Sequence, residues 1–454
     1  MRKALQAHFR RAVAAAASLT GRRFGLLVAS SLVATSAIVA TALSNPAGNG
    51  LLAAALGDGL LTRAAPAAAS APVEGSGGPP PPSSPGSAPS APSAAPSALP
   101  QPLSSEPAPE PPAEAPPPKA PAPPATPEAG QIKHVFVISL TSPGYEQSLG
   151  AASQMPYLSG TLRPQGELLG NYTLLDENAL ANSIAATAGQ LPNPQTASGC
   201  PTYSDFPPSA RADKSGTLHG SGCVYPVETL TLADQLTSAS FDWRGYMEGM
   251  VDETGKPSTC VHPGSGEAEP PVPGGYSASQ NPFAYFHSLL DLGDCAIDDV
   301  SIEALGADLG KAEKTPNYSF IAPTPCDSGA PGQCVAGTPE GPAAADAFLA
   351  KWVPRILASP AYKADGLLVV AFDAAAPPGA EAGTAPAPAA NPLQVGALLL
   401  SPFVAKGSTD SGAYTPYALF RTSEELFGLQ PIAMGANPKT KTLAPGLLGE
   451  TGGD

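Results

Sequence analysis

Six consecutive apolar residues, Leu367 to Phe372, are entered through Asp365-Gly366 and closed by Asp373. A short run rich in Leu and Val, with no polar alternation, predicts a strand buried on both faces, the kind found in parallel sheets covered by helices. His134-Val-Phe-Val-Ile-Ser-Leu140 predicts a second such strand, and Val395-Gly-Ala-Leu-Leu-Leu400, stopped by Ser401-Pro402, a third. Between them the period changes. Thr229 to Leu236 and Ala343 to Leu357 carry apolar residues at spacings of three and four, which predicts helices. Thr422-Ser-Glu-Glu425 has the spacing of a capping box and predicts a helix start ahead of Leu426 and Phe427. Strands alternating with helices place residues 131–454 in the α/β class, with a mostly parallel central sheet and helices on both faces. Ligands of such sheets bind beyond the carboxyl ends of the strands, where Asp373 stands.

The amino end follows a different pattern. Phe24 to Leu43 is an uncharged, mostly apolar run of 20 residues, matching a hydrocarbon core about 30 Å thick. The leader before it, residues 1–23, contains Arg2, Lys3, Arg10, Arg11, Arg22 and Arg23 and no acid. Basic residues on that side orient the leader toward the cytoplasm and the rest of the chain outside. Ala40-Thr41-Ala42 is an acceptable small-x-small cleavage site, so 24–43 is either an uncleaved signal anchor, which the long basic leader favours, or a removable signal peptide. The expectation is a cell-membrane protein with 131–454 extracytoplasmic, or a secreted one if the segment is cleaved. Residues 44–130 are rich in Pro, Ala and Ser, with stretches such as Gly78-Pro-Pro-Pro-Pro-Ser83. They offer too little apolar surface to offset the entropy of ordering, and read as a disordered, semi-rigid linker of about 3.1 Å per residue.

Charge narrows the partners. The net charge is −15, and setting aside the six positive charges of the leader leaves −21 on the remainder. So acidic a surface repels nucleic acid and anionic lipid headgroups, so no nucleic-acid partner is expected, and the membrane is met only through the amino-terminal segment. All six cysteines lie within 131–454. An even number in an exported chain points to disulfides, and there is no close Cys-x-x-Cys pair to suggest zinc. Six cysteines allow 15 pairings; the sequential set Cys200–Cys223, Cys260–Cys295, Cys326–Cys334 is expected, stapling the Gly/Pro-rich loops Pro192 to Pro226, Gly255 to Gly275 and Cys326 to Gly341.

Several segments, in order, carry a resemblance. They are His134–Leu140 with Tyr145-Glu-Gln147, Thr231-Leu-Ala-Asp-Gln-Leu236, Trp243-Arg-Gly-Tyr-Met-Glu248, Asn281-Pro-Phe-Ala-Tyr-Phe286 and Pro316-Asn-Tyr-Ser-Phe-Ile321. Lys351 to Tyr362, Asp365 to Asp373, Ser401-Pro-Phe-Val404 and Leu419 to Leu429 continue it. The whole resembles the bacterial phosphoesterase family that contains phospholipases C and acid phosphatases. That resemblance implies an alkaline-phosphatase-like three-layer sandwich and metal-assisted phosphoryl transfer by a Ser or Thr hydroxyl. Such chemistry needs a cation held by oxygen and imidazole ligands, a hydroxyl within reach of phosphorus, and groups that stabilise the transferred charge.

Most of those positions are substituted. Where the family places a Glu-Asn ligand pair after the first strand, this chain has Thr141-Ser142. In the nucleophile segment Glu177-Asn-Ala-Leu-Ala-Asn-Ser183 the attacking hydroxyl is replaced by Ala179 and the preceding His by Glu177, while Asn182 is retained. The His before Asn-Pro-Phe is Gln280, the second acid after the central strand is Ala374 beside a retained Asp373, and the His before Tyr417 is Pro416. Asn182 and Asp373 then read as loop-fixing residues. His134 reads as a structural partner at a strand start, His219 and His262 as solvated, and His287 as a packing or surface residue. Two readings follow. In the first, the domain is catalytically inactive and serves as a cell-surface binding or structural module for an unknown ligand or protein, with no cofactor. In the second it is an active metal-dependent phosphoesterase with a rewired site, for which Asp373, Asp176 and Glu177, with Asp327, are the candidate ligands of a divalent metal.

Overall fold

The computed structural model describes residues 132–375, 391 and 393–448; the leader, the apolar run 24–43 and the linker lie outside them. Ten strands form within this range. They are β1 (His134–Ser142), β2 (Glu167–Tyr172), β3 (Arg211–Ala212), β4 (Leu218–His219), β5 (Trp243–Met247), β6 (Asp299–Ser301), β7 (Tyr318–Ala322), β8 (Gly366–Ala375), β9 (Ala397–Leu400) and β10 (Thr409–Tyr414). Apart from the β3–β4 ribbon they build one sheet in the order β10-β2-β9-β8-β1-β7-β5-β6. Every neighbouring pair is parallel except the two that involve β9. All ten residues of β8 are buried, as are all but the first of β1. Continuous apolar runs thus occupy the centre of the sheet, where each fully buried large aliphatic side chain contributes about 1.5–3 kcal/mol. At the edge, β10 alternates between exposed and covered positions.

The third expected strand is two residues shorter than its pattern. The amides of Val395 and Gly396 both donate to the Tyr172 carbonyl, and Gly396 takes a positive φ of 71°, so the chain turns before joining the ladder. It then runs antiparallel, which hydropathy alone does not distinguish.

Helices cover the sheet. The main ones are α1 (Ala179–Ala188), α2 (Leu232–Ser238), α3 (Pro342–Ala358), α4 (Pro360–Asp365) and α5 (Pro416–Leu426). α1 packs on β8 and is joined by α2 and α5; α3 and α4 pack on β1. The pattern beginning at Thr229 becomes helical only at Leu232, because Thr231 and Asp234 close a reciprocal capping box there. The capping box expected at Thr422–Glu425 does not exist. Those residues lie in the last turns of α5, which starts instead at Pro416, a residue suited to a helix's first position because its missing N–H would have no partner there. Thr422 Oγ1 donates to the Ala418 carbonyl and accepts the Leu443 amide. Glu424 is buried and receives the Ile432 amide at 2.9 Å.

Three disulfides, Cys200–Cys223, Cys260–Cys295 and Cys326–Cys334, tie the long loops. His134 pairs through Nδ1 with Asp365, clamping the start of β1 to the end of α4. Among the described residues no helix is long and apolar enough to cross a membrane.

The register of β1 against β8 slips once. Leu140 faces Phe372 and Thr141 faces Ala374, so Asp373 is the extra residue of a β-bulge. A bulge frees backbone groups from the ladder, and buried Asn182 captures one: its Nδ2 donates to the Asp373 carbonyl at 2.8 Å. The same amide nitrogen reaches the carbonyls of Asp176 (2.7 Å) and Asn178 (2.9 Å), and Oδ1 accepts the Leu175 amide at 2.8 Å. One side chain therefore joins the end of β8, the loop after β2 and the start of α1. Asn182→Ala is expected to cost about 3 kcal/mol in urea denaturation, since it strands several buried backbone groups. A loss under about 1 kcal/mol would contradict this role.

Candidate functional site

Where β1 and β8 end, the chain leaves a cavity of about 480 Å³. Thr141 closes one side, and its partner Ala374 with Ala375 the next. Glu177, Asn178 and Ala179, at the start of α1, form a third wall; Asn178 caps that helix by accepting the Leu180 amide. The Ala375 amide donates to the Glu177 carbonyl at 3.1 Å, which fixes that wall to the sheet. Tyr276, Ser277, Ser279 and Gln280 line the cavity as well. The rim consists of Glu269 to Val272 and of Pro325, Ala330, Pro331 and Gln333, the last three within the loop closed by Cys326–Cys334.

Hydrogen bonds below the cavity run inward. Ser328 Oγ donates to the Pro325 carbonyl at 2.9 Å, receives Gln280 Nε2 at 3.1 Å and lies 3.0 Å from Thr141 Oγ1. Since Ser328 has a single hydroxyl proton, Thr141 is the donor of its pair. Gln280 is only 7% exposed, and its Oε1 meets no partner. Gly329, which follows the one-turn helix Pro325–Ser328, has φ of +99°, and a Cβ there would stand 3.2 Å from the Thr141 carbonyl. A side chain at this position would be strained and would press on the end of β1.

Residues 139–430, well over half of the chain, match the model of the Phosphoesterase family. The chain belongs to the phosphoesterase family. No curated protein matches it. Among solved structures it is similar to a protein of the alkaline phosphatase superfamily from Vibrio parahaemolyticus, at 17% identity over 71% of this chain and 72% of that one, with a TM-score of 0.40. It is also similar to a putative sulfatase from Bacteroides thetaiotaomicron (12%, 71% and 76%, TM-score 0.41) and to the lipoteichoic acid synthase LtaP from Listeria monocytogenes (9%, 68% and 75%, TM-score 0.38). No activity is carried over from them.

Of the positions that the resemblance singled out as substituted, Thr141, Glu177, Ala179, Gln280 and Ala374 all line one cavity. The others do not. Ser142 is fully buried and its hydroxyl accepts the Gly144 amide at 3.0 Å. Pro416 is the first residue of α5. Asp176 accepts the Asn178 amide, and Asn182 is consumed by the cross-tie. Asp373 does not stand in the crevice as its place at the strand end implied: it is absent from the lining, because as the bulged residue it is buried beside Ser139 and Tyr172. The four candidate acids therefore do not assemble. Asp327 lies instead next to Glu248, whose carboxyl is raised to about 7 by burial and then by Asp327, against the opposing pull of Lys351 at 3.4 Å.

The donor set does not fit the divalent metal that the resemblance implies. Such an ion needs several oxygen or imidazole ligands converging on one point. The cavity offers two carboxylates, Glu177 and Glu269, and no imidazole, and at the strand ends only a threonine engaged with Ser328, an occupied serine and two methyl groups. Among the described residues, the one trio of metal-binding side chains that approach one another is Cys260, Cys295 and Asp299, and its sulfurs are joined in a disulfide. Nor do the histidines contribute. His219 meets Asp213, His262 stacks on Tyr203, and His287 bridges Asp205 and Asp291.

Sequence reasoning missed the rim, including Glu269 and Gln333. These residues sit in loops without periodicity, and the one available signal was that disulfides bracket the same Gly/Pro-rich segments.

Burial raises the Asp373 carboxyl from 3.8 to about 7, with hydrogen bonds pulling the other way. Between roughly pH 4 and 7 the unfolded chain releases this proton while the folded chain keeps it. The folded state then binds more protons, so the contribution of this group to stability falls as pH rises through that window and is flat above it. Asp373→Asn is expected to raise stability by about 2–4 kcal/mol at pH 8 and by little at pH 4. Equal effects at both pH values in denaturant titrations would contradict the assignment.

Proposed function

We propose that this chain is an exported, membrane-tethered member of the phosphoesterase family that has kept the scaffold, lost the chemistry, and works as a binding module at the cell surface. One observation carries this reading. At the cavity where the substituted family positions meet, methyl groups of Ala179 and Ala374 replace reacting or ligating groups, and among the described residues no Lys, Arg or His lines the wall. A methyl group cannot attack phosphorus, and a cavity whose charged residues are Glu177 and Glu269 repels a phosphate ester. The cavity itself persists at a size suited to a small ligand, which favours binding over a purely structural role. Export is supported by the basic leader ahead of Phe24–Leu43 and by three disulfides, which persist in oxidising compartments.

The expected outcome is direct. The purified full-length chain, supplied in turn with Mg²⁺, Mn²⁺, Zn²⁺ and Ca²⁺, releases no chromophore from a chromogenic phosphate monoester or a phosphocholine ester above the protein-free rate. Metal-dependent turnover that co-purifies with the chain and is abolished by Thr141→Ala or Asp373→Ala would overturn this reading in favour of a rewired, active site.

A further inference from the structure

The cavity has a chemical preference of its own, and a case for its ligand rests on the binding-module reading above. Three features define it. First, the hydroxyls at its base are already engaged. Ser328 gives its proton to the Pro325 carbonyl, Thr141 gives its own to Ser328, and Gln280 Nε2 also points to Ser328. Those donors are spent within the protein, whereas the Gln280 Oε1 acceptor, on a side chain more than nine-tenths buried in the cavity wall, has no partner. An unpaired buried acceptor is costly, so a ligand N–H or O–H that reaches it recovers free energy that no protein group supplies.

Second, both charged residues of the wall are acids. Glu177 is exposed at the start of α1. Glu269 also lines the cavity and accepts from Ser277 Oγ at 2.8 Å and from the Ala278 amide at 2.7 Å, which leaves further lone pairs free. Third, the rest of the chain beyond its leader carries −21, so the long-range field draws in cations and turns anions away.

We infer that the cavity binds a ligand through a protonated amine, an ammonium group held between Glu177 and Glu269 with an N–H directed to Gln280. An ammonium ion is a compact donor of three hydrogen bonds and accepts none, which complements the two carboxylates and the unpaired Gln280 Oε1. The amine can belong to a free polyamine or to a lysine side chain of a peptide, and these share the chemistry recognised here. The substitutions that remove phosphate chemistry thereby reverse the sign of what the site attracts.

The test is calorimetry on the full-length chain in mild detergent, titrated separately with spermidine, tri-lysine, sorbitol, inorganic phosphate and Mg²⁺ alone. Saturable binding of spermidine, of tri-lysine or of both, weakened by added salt, is expected, and the tighter of the two identifies the source of the amine. Glu177→Gln should weaken that binding about three- to fivefold and Glu177→Lys about tenfold or more, with no change in melting temperature because Glu177 is exposed. Gln280→Met should also weaken it severalfold while leaving stability unchanged or higher, since it removes an unpaired buried acceptor. A merely structural role for Gln280 would lower the melting temperature and leave amine binding intact.

The inference is overturned if neither amine binds, if Glu177→Lys leaves amine affinity unchanged, if sorbitol or phosphate binds in place of the amines, or if Mg²⁺ alone binds and loses affinity in Glu177→Lys. Failure of this kind without phosphate-ester turnover refutes the amine assignment alone. Turnover refutes the underlying non-catalytic reading as well.

Discussion

The site depends on one cross-tie, the hydrogen bond from Asn182 Nδ2 to the carbonyl of bulged Asp373. The bulge offsets β8 against β1 by one residue, which puts Ala374 rather than Asp373 opposite Thr141. Asn182 then holds the start of α1 against that strand end, and the Ala375 amide adds a second bond to the Glu177 carbonyl. The two methyl-bearing walls and the acidic wall of the cavity are positioned by these contacts. Retention of Asn182 in a segment whose nucleophile position is Ala179 therefore has a physical reason: the asparagine builds the corner whether or not chemistry takes place in it.

The cavity's electrostatics follow from what that corner displays. Phosphoryl transfer needs cations, from metal or protein, to collect the charge of the transferred group. Here the charged residues of the wall are Glu177 and Glu269, and the β1 residue that lines the cavity, Thr141, has its hydroxyl bonded to Ser328. The acid that could have served a metal, Asp373, is buried with one oxygen unpaired and keeps its proton up to about pH 7. A neutral buried carboxyl suits a structural part of the sheet and is a poor ligand. The same logic makes Glu248 a partner of Asp327 and Lys351 rather than a member of the site.

Much of the fold was legible because central strands of a parallel sheet leave a distinctive mark. Leu367–Phe372 and Val135–Ile138 are continuous apolar runs, short and rich in Val, Leu and Ile, the pattern of strands buried on both faces. Thr141, Glu177, Ala179, Gln280 and Ala374, which the resemblance singled out, are scattered over more than 230 residues of sequence and line one cavity. What failed was what depends on geometry beyond the residue pattern. Thr422–Glu425 has the letters of a capping box, but Pro416 had already begun the helix. Asp373 sits at a strand end in sequence, but a one-residue register slip decides which side chain reaches the crevice. The antiparallel sense of β9 and the rim residues Glu269 and Gln333 have no periodic signal, because loop path and strand direction are set by long-range packing.

If the chain is the non-catalytic binding module proposed above, this corner of the phosphoesterase fold holds no phosphoryl group. Orthovanadate, which mimics the five-coordinate phosphorus of the transition state, tests it most directly when titrated into the full-length chain with each divalent cation and followed by ⁵¹V NMR. No protein-bound vanadium signal is expected with any cation. A saturable, metal-dependent signal that disappears when Thr141 is replaced by Ala would contradict it.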